Sequence, residues 1–298
     1  MKKLTTAAFA LLFTVCAVSS SYAIAGIGFH WGLDFSMDMK DNSKDVVYSV
    51  DDFLRDIGSA ENPFEQAGIN LTNDDAFLYI SRTNWRSSPV NFGGKAYIDI
   101  IPVIDAIEIS CNFGLWQYDG MINYLSIDNG AKIHKPVLLG LDNVDLDYFS
   151  LGGTPYAKLQ LDATIRKKLY ALPANVVKFS AGAGASVHFA TPLLSSKLIN
   201  DVLSARHEFD MTGLASGSVE FDENTSKAIV QKVIDGLAKP AFGMHLIVGA
   251  QFKLPVIPVG FYVDGKFMIP FTEFEDSDAG KDLDGLGFLI NAGISLSF

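Results

Sequence analysis

Charged and histidine side chains recur at every second position of several extended segments of this sequence. In Gly28 to Asp38, His30 and Asp34 alternate with aromatic and aliphatic residues, and alternate residues of a β-strand point to the same face. A histidine beside a carboxylate can bind a metal ion or act as a general base, whereas acids mixed with bases form salt bridges. The polar face is therefore either a reactive centre or a network of ion pairs.

The candidate residues of this polar face occupy alternate positions and so lie on the same side of each predicted strand. They are His30, Asp34, Lys95, Asp99, Glu108, Lys158, Asp162, Arg166, Lys178, His188, His245, Lys253, Asp264 and Lys266. Their mixed signs favour a salt-bridge network. Parity alone does not place the three histidines at one height, so we predict no catalytic, cofactor-binding or metal-binding residues. A hydrolase that uses these histidines with an acid is the alternative.

Segments with alternating polarity predict the strands that carry these residues. There are eight of them: Gly28 to Asp38, Asn91 to Ile101, Ala106 to Gln117, Gly153 to Arg166, Ala174 to Phe189, Phe242 to Leu254, Val259 to Phe271 and Gly285 to Phe298. Long and short connections alternate between them, which is typical of an up-and-down barrel with its loops sorted to one end. A further hairpin around Ala76 to Arg82 would give ten strands.

The composition agrees with strands that cross a membrane. Hydrophobic residues make up 49% of the chain, which has 22 Phe and 26 Gly and a positive mean hydropathy. Apart from the amino-terminal segment, no run approaches the roughly 20 apolar residues that a membrane helix needs. Barrel strands need only about ten residues of alternating polarity, with the charged face directed into a polar lumen.

The closing segment, Gly285 to Phe298, has one apolar face, one face of small polar residues, and a terminal aromatic. It resembles the last strand of bacterial outer-membrane β-barrels. The resemblance implies that the assembly machinery recognises Phe298, that the outer wall contacts lipid and lipopolysaccharide, and that the long loops are extracellular. It implies a transmembrane antiparallel all-β barrel, and identifies no particular family.

The first 25 residues resemble a secretory signal peptide, with Lys2 and Lys3 before an apolar run and cleavage after Ala23 or Ala25. We therefore predict one barrel domain over residues 26–298. Cys111 is then the only cysteine left, so no intramolecular disulfide forms. Removing both lysines would change the formal net charge from −11 to −13, which argues against nucleic acid as a partner.

Several connections contain other patterns. Ser49 and Asp52 predict the start of a short helix, and two amphipathic helices are predicted between Thr191 and Pro240. These two helices can cap the barrel, plug it, or lie on the membrane, and we favour the cap. Tyr118 to Gly152 is predicted to be a long loop. The acidic segment 276–282 lacks the glycine position and the twelfth ligand of a calcium loop, so we expect a solvated loop.

These observations predict a non-enzymatic outer-membrane barrel without cofactors. It would act as a narrow channel for small or hydrophobic solutes, with the solute itself unspecified, or as a structural and surface-interaction barrel. A membrane-embedded hydrolase is the alternative. A soluble β-protein would instead bury Phe29, Trp31, Phe261 and Phe267 in a sealed core.

Overall fold

The last strand of the chain pairs with the first in the computed structural model, and this pairing closes a barrel. The structure describes residues 25–35, 45–56, 58, 61–87, 91–99, 105–128, 131–139, 153–172, 176–195, 198–199, 216, 223–235, 240–254, 257–271 and 287–297. The strands are β1 (Ala25–Asp34), β2 (Val46–Ser49), β3 (Ala76–Ser87), β4 (Asn91–Ile98), β5 (Ala106–Asp128), β6 (Ala131–Leu139), β7 (Thr154–Ala171), β8 (Val177–Ala190), β9 (Ala241–Lys253), β10 (Val259–Pro270) and β11 (Gly287–Ser297). The described helices are α1 (Val50–Asp56), α2 (Pro63–Gln66) and α3 (Glu223–Asp235).

Eight of the strands form the wall, in the order β1, β4, β5, β7, β8, β9, β10 and β11, and every neighbouring pair is antiparallel. Each corresponds to one of the eight segments with alternating polarity, so the predicted eight-stranded all-β barrel is confirmed. The ten-stranded alternative is wrong. The predicted extra strand exists as β3, but β3 pairs with β2 and with the distal half of β5, outside the wall.

Strand β5 is much longer than the sequence predicted. Its 23 residues first pair with β4 and β7 in the wall and then continue past the barrel mouth to pair with β3 and β6. The predicted loop from Tyr118 to Gly152 is therefore wrong over residues 118–128 and 131–139, which are strand. Strands β2, β3 and β6 join this extension of β5 as an outlying part of the same 11-stranded sheet, which we call the small sheet.

The apolar core of the described residues lies at this end, outside the polar lumen. Phe53, Phe64 and Phe77 form an aromatic cluster with ring centroids 5.4 to 6.0 Å apart. The same core includes Ile229 and Val233 of α3, together with mouth residues of the barrel wall: Trp116, Tyr156, Ala190 and Ala241. We call this assembly of small sheet and helices the cap. Helix α3 thus belongs to a cap, as predicted, whereas the earlier predicted helix is described only at Leu198 and Ile199.

Helix α1 begins with a reciprocal capping box, as its sequence predicted. The backbone N–H of Ser49 donates to Asp52 Oδ2 at 3.1 Å, and the backbone N–H of Asp52 donates to Ser49 Oγ at 3.1 Å. The hydrogen bond from Ser49 holds the pKa of Asp52 below its usual value. A carboxylate in this position also stabilises the positive end of the helix dipole.

Asn62 caps α2 and ties it to the following turn. Its Oδ1 accepts the Phe64 N–H at 2.9 Å, and its Nδ2 donates to the Leu71 carbonyl at 2.9 Å. We expect Asn62→Ala to lower the free energy of unfolding of the cap by about 1–2 kcal/mol, because both bonds are lost. Hydrogen exchange of the cap amides would measure the change. The exposed Gln66→Ala, in the same helix, is the control and should shift it by less than about 0.5 kcal/mol.

Among the helices that the structure describes, none combines the length and the apolar character needed to cross a lipid bilayer. The predicted signal peptide, the acidic segment 276–282 and Phe298 lie outside the described residues, apart from Ala25 at the start of β1.

Candidate functional site: the polar lumen

Four ionised side chains meet inside the barrel near its short-turn end. Arg166 on β7 forms a bidentate pair with Asp264 on β10, at 2.8 and 2.9 Å. Arg166 also donates to Glu108 at 2.9 Å, and Lys95 lies 2.7 Å from Asp264 and 3.4 Å from Glu108. All four side chains are buried, and their charges cancel. We call these four residues the ion-pair quartet.

A second cluster surrounds Asp162, further from the short turns. Lys266 donates to Asp162 Oδ2 at 2.5 Å and to Ser110 Oγ at 2.7 Å. Ser186 and Gln160 donate to the other carboxylate oxygen at 2.7 and 2.8 Å. Asp162 is therefore surrounded by donors, and its charge is balanced by Lys266.

His30 connects β10 to this second cluster across the lumen. Its Nε2 lies 2.7 Å from Asn112 Oδ1, which can only accept, so Nε2 carries the proton and Nδ1 accepts from the Tyr262 hydroxyl at 2.9 Å. Asn112 in turn donates to Asp162 at 3.3 Å. The resulting chain of donors runs in one direction from Tyr262 to Asp162.

Gly293 in the barrel wall leaves the space that this chain of hydrogen bonds occupies. A Cβ at Gly293 would collide with the Tyr262 ring, the His30 side chain and the Phe29 carbonyl oxygen. The ammonium group of Lys95 lies over the Tyr262 ring, 3.4 Å from the ring centroid. Tyr262 therefore joins the hydrogen-bond chain to the ion-pair quartet.

The remaining predicted residues occupy the two ends of the lumen. Asp34 and Lys158 form a 3.6 Å ion pair toward the cap, while Lys178 and Asp99 are 3.9 Å apart near the short turns. Lys253 lies near Asp99. Buried His188 sits next to Gln160 on the neighbouring strand, and its Nδ1 has no hydrogen-bond partner among the described residues. The structure thus brings most of these residues together in buried clusters, whereas Asp99, Lys178 and Lys253 are only partly buried near the short turns.

The arrangement around His245 is not that of a serine hydrolase. The Asp162 carboxylate can only accept, so we assign the single hydroxyl proton of Ser186 to Asp162; the Ser186 oxygen then accepts from His245 Nδ1 at 2.8 Å. His245 Nε2 then accepts from the Thr164 hydroxyl at 2.8 Å. A nucleophilic serine instead needs a histidine that accepts its proton while the acid orients the histidine. With this assignment, neither nitrogen of the buried His245 is available to Ser186 as a base.

Metal binding finds no site in the part of the chain that the structure describes. No group of three or more His, Cys, Asp or Glu side chains is placed there to hold a metal ion. The three histidines each bind or face different lumen residues, and Cys111 is a free cysteine in the outer face of β5.

Several neutral residues of the network were not singled out from the sequence: Ser110, Asn112, Gln160, Thr164, Ser186, Tyr262 and Asn291. Each lies on the polar face of its predicted strand, so the alternation of polar and apolar residues was the available signal. The reason to select them appears only when register brings Asn291 Nδ2 within 2.8 Å of Asn112 Oδ1, which His30 also contacts.

The outer face of the wall is apolar, in contrast to the polar lumen. On β1 the outward residues Phe29, Trp31 and Leu33 are exposed, and Leu246 and Val248 are exposed on β9. Exposed large apolar residues also occur on the outer faces of the six other wall strands: Phe92, Ile109, Ile165, Phe179, Phe261, Val263, Phe267, Ile290 and Ile294. We call this surface the apolar belt.

The height of the apolar belt is similar to that of the apolar band on transmembrane barrels. From Phe242 to Phe252 on β9 there are ten residue steps, which rise roughly 25 Å at about 3.3 Å per residue and a tilt of about 40°. Transmembrane barrels carry an apolar band about 25 Å tall. The four aromatic residues that a soluble protein would bury, Phe29, Trp31, Phe261 and Phe267, are all exposed on the belt.

No protein-family model matches the chain. No curated protein matches its sequence either.

Proposed function

We propose that this protein is a non-enzymatic β-barrel of a bacterial outer membrane that holds its cap at the membrane surface. The apolar belt carries the proposal, because solvent-exposed apolar patches on soluble monomers rarely exceed a few hundred Å². Lipid and lipopolysaccharide would contact this belt. The barrel assembly machinery would recognise the closing strand with its terminal Phe298.

The lumen favours a structural or surface-interaction role over an open channel. Lys95 and Asp264 join β4 to β10, and Lys266 and Asp162 join β10 to β7, so ion pairs cross the lumen at two heights. An eight-stranded barrel has an interior just wide enough for side chains to fill. At the cap end of the barrel, the inward-facing residues Tyr156 and Ala241 belong to the apolar core of the cap.

The orientation follows from the connections. The cap is built from the long connections, and the short connections β4–β5, β7–β8 and β9–β10 lie at the opposite end of the wall. Outer-membrane barrels place short turns in the periplasm and long loops outside. In this orientation the cap faces the cell exterior and is the surface that partners would contact.

Electrophoretic mobility and conductance test this proposal together. We expect protein extracted from an outer-membrane fraction to change its gel mobility on boiling, as a barrel unfolds, and to give no discrete channels in a planar bilayer. A mobility shift with stable unitary currents would contradict the closed lumen and make transport the primary function. A protein that remains in the soluble fraction without a mobility shift would contradict the membrane assignment.

A further inference from the structure

Four buried side chains in the part of the lumen nearer the cap have polar atoms without a hydrogen-bond partner among the described residues. They are Asn91, Gln160, His188 and Asn291. Five atoms are involved, namely both side-chain polar atoms of Asn91, Gln160 Oε1, His188 Nδ1 and Asn291 Oδ1. Because three of the four residues are amides, we call these four residues the amide layer.

Two residues of the amide layer lie on either side of a glycine. Asn91 and Asn291 are the partners of Gly32 in the two strands next to β1. Asn291 Nδ2 donates to Asn112 Oδ1 at 2.8 Å, and Asn291 Oδ1 occupies the space that a Cβ at Gly32 would need. The unpartnered oxygen of Asn291 thus lies over the glycine that separates it from Asn91.

The other two residues of the layer are strand partners of each other. Gln160 on β7 pairs with His188 on β8 and with Asn112 on β5, so Asn112 connects the two halves of the layer. On β7, Gln160 lies between Lys158 and Asp162 among the inward-facing residues. The amide layer is therefore enclosed between the cluster around Asp162 and the ion pair that Lys158 forms nearer the cap.

Rotation of the amides does not supply the missing partners. Both polar atoms of Asn91 are unpartnered, so exchanging its nitrogen and oxygen changes nothing. The Gln160 Nε2 group must remain toward Asp162, since a carboxylate can only accept. In the same way, Asn291 Nδ2 must remain toward the carbonyl oxygen of Asn112. A buried polar atom without a partner is destabilising, and native proteins contain few of them.

We infer that the amide layer binds ordered water molecules, one bridging Asn91 and Asn291 across Gly32 and another bridging Gln160 and His188. The unpartnered atoms include carbonyl acceptors and an N–H donor, so the ligand must both donate and accept. Roughly two waters, at about three hydrogen bonds each, match the five unpartnered atoms. These waters would join Asn91 and His188 to the hydrogen-bond network of the lumen.

A ligand larger than water has no route to the layer through the described part of the chain. On the short-turn side, Lys266 and Asp162 join β10 to β7 across the lumen. On the cap side, the Trp116 ring lies against Gly114 and belongs to the apolar core of the cap. Water can enter such a site through local openings of the structure, whereas a sugar or a nucleotide cannot.

Hydroxyl-radical labelling of the wild-type protein in detergent tests the inference. Radicals that radiolysis forms from a bound water oxidise the side chains beside it, even where these are buried. We expect His188 to be oxidised several times faster than His245, which is also buried but has hydrogen-bond partners at both ring nitrogens. Water labelled with heavy oxygen, added before irradiation, should pass its label to His188. Equally slow oxidation of the two histidines would overturn the inference.

Asn91→Leu is a second test, because it replaces the amide by an apolar side chain of similar size. If Asn91 has no partner, the substitution removes an unpaired buried group and raises the urea midpoint of unfolding. If water binds Asn91, the bridging water loses its contacts there, and we expect the midpoint to fall by roughly 0.5 M. An unchanged or higher midpoint would overturn the inference.

Asn123→Leu is the matched control. Asn123 lies in the part of β5 that belongs to the cap and is only partly buried, so the same change of side chain should shift the midpoint by less than about 0.2 M. The labelling experiment uses the wild-type protein and therefore remains decisive if Asn91→Leu does not fold. Native mass spectrometry completes the test, since a retained organic molecule in the barrel would overturn the assignment to water.

The outcome is separable from that of the membrane proposal. The amide layer depends on the closed barrel alone, so the labelling is informative wherever the barrel resides. Gel mobility on boiling, measured for each variant, reports that the barrel is folded and does not report bound water.

Discussion

Asp264→Asn is expected to lower the free energy of unfolding by about 3–5 kcal/mol, the usual loss when one partner of a buried ion pair is removed. Asp264 accepts two hydrogen bonds from Arg166 and one from Lys95. The substitution keeps the shape of the side chain but leaves two buried cations sharing Glu108. Urea unfolding in lipid vesicles, followed by tryptophan fluorescence, would measure the change.

The charge argument predicts a partial rescue. Lys95→Gln/Asp264→Asn leaves one cation and one anion, Arg166 and Glu108, 2.9 Å apart. We therefore expect the double variant to lower the free energy of unfolding by at least about 1 kcal/mol less than the two single variants do when their separate decreases are added. Asp128→Asn, at an exposed position in the cap, is the control and should change stability by less than about 0.5 kcal/mol. Additive losses would show that shape rather than charge determines the effect of Asp264.

The sequence predicted the wall because one physical constraint acts on every wall strand. A strand with a polar interior on one side and an apolar exterior on the other must alternate, so His30 and Asp34 had to share a face that excludes Phe29 and Leu33. The same constraint predicted which charges face inward. It applies wherever a single layer of sheet separates two environments.

The partners of those charges were not predictable from parity. Lys95 and Asp264 are separated by 169 residues, and their contact depends on the tilt and stagger of the whole barrel. Those quantities are set by the registers of all eight strand pairs together. For the same reason, the sequence did not show that Ser186 stands between Asp162 and His245.

The extension of β5 was missed because its environment changes along the strand. Beyond Gln117 the buried face of β5 packs on the apolar core of the cap instead of lining the polar lumen, and Tyr124, Leu125 and Ser126 are buried in succession. The buried face there carries Tyr118 and Ile122 instead of charged residues, so the alternation of polar and apolar residues that marks the wall strands is lost. Helices α1 and α3 were predictable because helical periodicity and capping residues are local properties of the sequence, as Ser49 and Asp52 show, whereas the four-residue helix α2 is too short to show a period and was not predicted.

Val248→Lys is expected to destabilise the barrel in lipid by about 2–4 kcal/mol, the range for a lysine at the bilayer midplane. Val248 lies near the middle of the apolar belt, with 62% of its surface exposed. Because the side chain is already exposed, the substitution creates no cavity and no clash in the lumen. Any large decrease in the free energy of unfolding must therefore come from contact between the new lysine and the medium around the outer wall. Urea unfolding from lipid vesicles would measure it.

Val47→Lys is a closely matched control. Val47 is a strand residue of the same type, in β2 of the cap, and is 51% exposed. In water both substitutions would change stability by less than about 0.5 kcal/mol, since neither side chain is buried. A loss confined to Val248→Lys would mean that the wall faces hydrocarbon while the cap faces water. Equally small effects of the two substitutions would mean that the belt is in contact with water, which would contradict the membrane assignment.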